Sequence, residues 1–390
     1  MTVLIVLFWV FAFVVFYTFF GYGILLWILV RIRERIRPRK VWPVQEEYPE
    51  VTLLIAAYNE KDCIAEKMEN CRALDYPAGR LHFVWVTDGS SDGTPDLLRH
   101  YPENTVLHED ARRGKTAALN RAMPFVQTPL VVMTDANTEL NPEAIKSIVR
   151  KFDDPSVGCV CGEKRVRTDG ASAAGSEGVY WKYECFLKDL DDRLYSTMGA
   201  VGELIAIRRS LWEDIPDGTL VDDMLLSMGI VRRGWRIAYC KEAYALESPS
   251  ASIAEERKRK VRLSAGGFQA TVKLRDLMNP FRYPVVSFQF VSHRVLRWVV
   301  TPASLLLLLP LNIALVLCGA PLFYLVTLVL QLAFYLCALG GMIADRHGKK
   351  TVLHIPYYFL FANFTTFAGF RHFLSFNGDA AWEKAKRAEK

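Results

Sequence analysis

Several apolar runs in this chain stop abruptly at side chains that could hold a ligand. Tyr58, Asn59 and Glu60 follow VTLLIAA, Asp88 ends LHFVWVTD, and Asp135-Ala136-Asn137 closes PLVVMTDAN. Asp135 and Asn137, two apart, offer oxygen ligands of the kind that hard divalent cations such as Mg2+ and Mn2+ take, often with only one or two carboxylates and with phosphates completing the shell. The same residues are turn formers, so a turn at a strand end fits them equally well. Adjacent Asp222 and Asp223 point apart, and a single carboxylate facing a hydroxyl suits a general base whose pKa is raised by burial or by its neighbour. The start of a helix is the alternative for this pair, since DGTLVDDMLL also has that pattern. Lys115 sits in GKT, the tail of a phosphate-binding P-loop, but that motif needs a glycine five residues before Gly114, and position 109 is Glu109. A point charge approaching a phosphate remains open to Lys115, as does a solvated surface.

The elements that must position these residues are short apolar runs, VTLLIAAY, LHFVWVTDG, PLVVMTDA and VGCVCG, separated by polar stretches with helical patterning. Strands of that kind predict an α/β domain with a mainly parallel sheet over residues 50–250. Ligands in such sheets bind beyond the carboxyl ends of the strands, where the polar residues above fall.

The rest of the chain reads differently. Hydrophobic residues make up 51% of it, with the excess at the two ends. Residues 1–30 exceed the roughly 20 that cross a bilayer, and no small-residue cleavage pattern follows, so a retained membrane helix is expected. Residues 31–49 form a basic linker that opens with RIRERIRPRK, which by the positive-inside rule belongs in the cytoplasm. Further on, 251–294 read as amphipathic or interfacial helices, 295–344 as a transmembrane hairpin, 351–375 as a third membrane or re-entrant segment, and 376–390 as a basic tail. The net charge of +6 makes no separate case for nucleic acid. Eight cysteines without a Cys-x-x-Cys pair read as reduced core thiols.

Taken in order, AAYNE, VTDGSSDGT, GKTAALNRA, TDAN, GAVGELIAIRR and VDDM form a set that resembles the family 2 glycosyltransferases, above all membrane-integrated members such as poly-N-acetylglucosamine, cellulose and hyaluronan synthases. The resemblance implies a GT-A-like, Rossmann-related nucleotide-sugar-binding domain flanked by transmembrane helices. It implies a UDP-sugar donor held by Ala57, Tyr58, Glu60, Asp88, Lys115, Asp135, Arg259 and Arg262, with Asp88 accepting from the uracil N3–H. Asp135 and Asn137 would hold Mg2+ or Mn2+, Asp223 would be the base, and Gly202, Glu203, Asp222 and Trp181 would lie on the acceptor side. The expected reaction is inverting transfer of GlcNAc or glucose to a glycan or lipid-linked acceptor at the bilayer, in exopolysaccharide or cell-envelope synthesis, by an inner-membrane protein with a cytoplasmic catalytic domain. Leu263 stands where the family's Gln/Arg-x-x-Arg-Trp motif has Trp, which favours single transfer over processive polymerisation. A non-catalytic nucleotide-sugar sensor or transport subunit is the reading from another class.

Overall fold

The apolar runs that end in polar residues are strands, and most are buried along their length. The computed structural model describes residues 1–43, 46–167, 172–347, 349 and 351–378, with the side chains of 172–180 outside the description, as is most of the expected basic tail. In chain order the first elements are α1 (Thr2–Phe16), α2 (Tyr22–Ile36), β1 (Val51–Ala57), α3 (Ile64–Arg72), β2 (Leu81–Asp88), α4 (Thr94–Arg99) and β3 (Asn104–Glu109). There follow α5 (Lys115–Ala122), β4 (Leu130–Asp135), β5 (Glu139–Leu140), α6 (Ala144–Lys151), β6 (Val157–Val166), α7 (Ser172–Leu194) and β7 (Leu204–Arg208). The last are α8 (Asp222–Arg232), β8 (Arg236–Glu247), α9 (Ile253–Lys273), α10 (Pro284–Phe290), α11 (Thr301–Leu317), α12 (Leu322–Arg346) and α13 (His354–Ser375).

These elements divide into two compact units. One contains the described parts of Arg33–Arg167, Tyr183–Ser248 and the chain after Ser375; its sheet has eight strands in the order β3-β2-β1-β4-β7-β6-β8-β5. β1 to β4 run parallel, with Val51 opposite both Leu81 and Leu130. β7 is antiparallel to β4 and to β6, so the sheet is mixed rather than uniformly parallel. The reversal has a direct consequence for chemistry: it brings the start of β7, preceded by Gly202 and Glu203, to the sheet edge where β4 ends in Asp135. β6 and β8 run parallel to each other, so Lys164 and Glu247 near their ends reach that same edge. Leu53, Ile55, Trp85, Val132 and Ile148 are among the residues that fill the core beneath it.

The predicted basic flank is partly tied to protein. Arg33 Nη1 donates to the Arg193 carbonyl at 2.6 Å, Arg39 reaches Asp192 Oδ2 at 2.7 Å, and Glu34 takes both Arg193 nitrogens at 2.8 Å, all at the end of α7.

The other unit is helical. Three helical runs among the described residues are long and apolar enough to cross a membrane: Thr2–Ile36, Pro284–Leu317 and Leu322–Arg346. The first of the hairpin pair therefore starts at Pro284, through a π-helical stretch Val291–Val300, well before the most apolar residues. Phe8, Leu308, Leu315 and Tyr324 share one apolar cluster. α13 is a continuous helix closely packed on α9, since a methyl built on Gly369 would run into Ser264 and lie 3.0 Å from the Val261 carbonyl. Gly369→Val should thus force the two helices apart and lower stability by about 1–3 kcal/mol, the usual penalty for overpacking. Thermal unfolding in detergent would read this as an earlier transition; an unchanged midpoint would contradict the close packing.

Candidate functional site

The strand-end residues of the sheet unit converge around one lysine. α5 is capped by Gly114, whose backbone (φ +93°) lies where side-chain-bearing residues are strained, and Lys115 is its first residue. Lys115 Nζ lies 2.6 Å from Asp135 Oδ1 at the end of β4. A methyl built on Gly202 would lie 3.4 Å from Asp223 Oδ2 and 3.7 Å from Lys115 Nζ, so Gly202 leaves open the space that these two groups face. Gly202 is held there because Ala200 N donates to Ser227 Oγ on α8 at 3.1 Å. Asp222 and Asp223 occupy the first turn of α8, whose N-cap is Val221, so neither aspartate serves as the cap. Asp223 Oδ1 instead accepts from Met224 N at 2.7 Å.

The charges set each other's protonation. Burial, then the carboxylates of Asp222 and Glu203, push the Asp223 carboxyl up to about 7, against the pull of Lys115 and the Met224 N–H. Burial works against the Lys115 charge, but Asp135, Asp222 and Asp223 outweigh it and raise the ammonium above its usual range. The arrangement provides a permanently charged ammonium beside a carboxylate that exchanges protons near neutrality, which suits general-base work on a hydroxyl next to an anionic leaving group.

On the other side of Lys115, Asp88 at the end of β2 is buried. Its Oδ2 accepts from Arg113 N at 3.0 Å and Gly114 N at 2.6 Å, which fixes the loop that delivers Lys115. Its Oδ1 has no hydrogen-bond donor among the described residues; Arg121 stands 3.7 Å away. One oxygen of Asp88 is thus structural, and the other, buried, faces the Arg121 guanidinium at ion-pair distance. Ala57 ends β1, and Asn59 beyond it has the single positive φ among the described non-glycine residues, +52°. Asn59 Oδ1 accepts from Ser91 N at 2.9 Å, and Glu60 N donates to Thr94 Oγ1 at 3.0 Å, so the loops after β1 and β2 are pinned together. The Arg112 guanidinium lies 3.9 Å from the Tyr58 ring centroid, a stacking surface that sequence reasoning missed.

Glu203 meets a second unanticipated group. Lys164, fully buried, is ion-paired with both Glu203 and Glu247. Thr134 Oγ1 donates to the Glu203 carbonyl at 2.8 Å and ties this cluster to β4. Arg208, at the end of β7, donates to the carbonyls of Val157 and Phe152 at 2.8 and 2.9 Å and is a packing residue. Asn137 follows Asp135 in the turn after β4. The structure therefore brings together Asp88, Lys115, Asp135, Gly202, Glu203, Asp222 and Asp223. Trp181, Arg259 and Arg262 belong to the helical unit. There Arg259 is held by Glu256 at 2.9 and 3.1 Å, and Glu256 also accepts from Ser250 and Tyr358.

A mixed α/β sheet with its polar residues at the strand ends defines a GT-A-like fold. A solved mannosyltransferase from Pyrobaculum calidifontis, in complex with GDP-Man and Mn2+, superposes with a TM-score of 0.70 at 22% identity, over 95% of this chain and 99% of that one. Residues 49–266 match the model of "glycosyltransferase like family 2", and the chain belongs to that family. Among relatives, poly-beta-1,6-N-acetyl-D-glucosamine synthase of Staphylococcus aureus is 26% identical over 65% of this chain and 63% of its own length. Beta-monoglucosyldiacylglycerol synthase of Trichormus variabilis is 27% identical over 60% of this chain and 52% of its own. The match thus spans less than two thirds of either relative.

The Asp223 shift has a checkable sign. Its folded-state pKa lies above the ordinary value, so the stability it contributes is complete below about pH 4 and is lost as pH rises through about 7, where the carboxyl is half ionised inside the cluster. Asp223→Asn should therefore raise the melting temperature above pH 7 and leave it nearly unchanged near pH 4. Equal midpoints at both pH values would contradict the crowding of carboxylates.

Proposed function

We propose that the chain is an inverting glycosyltransferase that moves a sugar, GlcNAc or glucose, from a UDP-sugar to a hydroxyl of a glycan or lipid-linked acceptor at a membrane. The observation that carries this reading is the Asp223 carboxyl, poised near neutrality beside the Lys115–Asp135 pair, with Gly202 leaving space between them. Asp223 takes the proton of the acceptor hydroxyl as its oxygen bonds to the anomeric carbon. The bond from that carbon to the diphosphate oxygen breaks on the opposite face, and UDP leaves with the electron pair, its charge met by Lys115. Attack from the opposite face turns an α-linked donor into a β-linked product. Asp88 Oδ1, which takes no hydrogen bond among the described residues, supports a base-recognition role, accepting the uracil N3–H, with Tyr58 and Arg112 offering a stacking face.

The donor set supports a divalent cation shared with a diphosphate rather than a site made by protein alone. Asp135 gives one carboxylate and Asn137 an amide oxygen, and among the described residues no group of three or more His, Cys, Asp or Glu side chains could hold a metal by itself. Asp135 and Asn137 would hold the ion, which when bound would neutralise the leaving diphosphate. The apolar helices and the basic residues Arg31 to Lys40 support a membrane protein whose sheet unit faces the cytoplasm. The exposed Leu263, in place of an aromatic residue, supports single transfer.

Detergent-solubilised protein given UDP-GlcNAc, UDP-glucose or GDP-mannose, with Mg2+, Mn2+ or chelator, should release UDP from a UDP-sugar only when metal is present. The labelled product should carry one added sugar. Absence of nucleotide release with every donor would favour the sensor or transport reading, and long products would favour a synthase. Asp223→Asn should lower transfer at least about 100-fold, the low end of general-base catalysis, while leaving UDP affinity unchanged. Normal turnover in that variant would remove Asp223 from the role of base. Gly202→Ala should fold normally and yet lose transfer, because its methyl fills the space facing Asp223 and Lys115; full activity would show that no substrate passes there.

A further inference from the structure

Beneath the turn that carries Asp135 and Asn137 lies a face of α3 that neither the family motifs nor the proposed chemistry uses. Cys63, just before the helix, Lys67 and Asn70 recur at i, i+4 and i+7 and so share one side of it. Two of them donate to main-chain carbonyls of the segment after β4, Lys67 Nζ to Thr138 at 2.7 Å and Asn70 Nδ2 to Leu140 at 2.7 Å, while Cys63 Sγ lies 3.6 Å from the Ala136 carbonyl and nearer, at 3.2 Å, to that of Glu60. Ala136, Thr138 and Leu140 are alternate residues, the repeat of an extended chain, so the helical period on one side matches the extended period on the other. Leu140 N returns a bond to Asn70 Oδ1 at 2.9 Å. The turn is closed from within by Thr138 Oγ1, which donates to the Asp135 carbonyl at 2.9 Å.

Lys67 is the unexpected member. Its side chain is buried, with the residue only 2% exposed, and its nearest acceptors are the Thr138 carbonyl and hydroxyl. Burying an ammonium is costly, and an apolar residue of the same length would fill the position at lower cost if packing were its only task. What the ammonium adds is a strong, directed bond to the residue that follows Asn137, from a rigid helix.

We propose that the Cys63–Lys67–Asn70 face of α3 is the support that fixes the Asp135–Asn137 turn for binding a divalent cation together with the donor diphosphate, with Lys67 as its positioning residue. This rests on the reading of Asp135 and Asn137 as the cation site. Outer-shell groups of this kind are worth about 10–100-fold in metal affinity.

The test uses the full chain in detergent, with Mn2+ affinity followed by electron paramagnetic resonance of the free ion in the presence of UDP, UDP binding measured in chelator, and thermal unfolding measured alongside. Lys67→Met should weaken Mn2+ by about 10–100-fold and leave UDP binding in chelator unchanged. A purely structural lysine would lower the melting temperature and leave Mn2+ affinity as in the wild type, which would overturn the inference. Should Lys67→Met fail to fold, Asn70→Ala keeps the ammonium and removes the two Leu140 bonds; weakened Mn2+ binding there supports the inference, and wild-type affinity overturns it. Asp135→Asn measured in parallel separates the two layers. Weak binding in Asp135→Asn with wild-type affinity in Lys67→Met overturns the role of α3 alone, whereas wild-type affinity in both overturns the cation reading and the inference with it.

Discussion

A single ammonium facing three carboxylates is the constraint around which the sheet unit is arranged. Lys115 contacts Asp135 at 2.6 Å, and Asp222 and Asp223 add to the charge that holds it protonated. Three negative charges and one positive charge leave the cluster with an excess that burial makes costly, and Asp223 absorbs the imbalance by holding its proton up to about pH 7. A sugar nucleotide arriving with a cation would change that balance, because the cation adds positive charge where the diphosphate adds negative. The same crowding that destabilises the free protein would therefore be relieved by such a charged ligand pair under the proposed reading.

The fold meets this constraint through strand direction. Four parallel strands bring Asp88 and Asp135 to one edge, and the antiparallel β7 then delivers Gly202 and Glu203 to that edge from the opposite chain direction. Glu203, which adds to the charge on Asp223, is itself paired with Lys164 together with Glu247, and Arg121 takes Glu109. Asp88 has two tasks, since the oxygen that holds Gly114 also fixes where α5 and Lys115 begin. Asp88 and Lys115 are thus mechanically joined through one short loop.

Much of this was legible before the structure. β1, β2, β4 and β6 are apolar runs ending in polar residues, and their ends carry the motifs that mark the family. β7 was hidden inside GAVGELIAIRR, where five residues, Leu204–Arg208, give too short a period to separate a strand from a loop. β3 and β8 interleave polar residues along partly exposed strands and lack the apolar signature. Lys67 and Lys164 were invisible for another reason. A lone lysine reads as solvated surface, and what buries each of these is a partner 71 or 83 residues away. Arg259 shows the converse, a motif residue whose guanidinium is already engaged by Glu256 one turn before it.

The central claim is that the cluster at the strand ends holds Asp223 protonated until near neutrality. Difference infrared spectroscopy of the wild type against Asp223→Asn, titrated between about pH 4 and pH 9, observes that carboxyl directly. A protonated-carboxyl band lost with a midpoint near 7 is the predicted result. A midpoint near 4, the value of an ordinary aspartate, would contradict it.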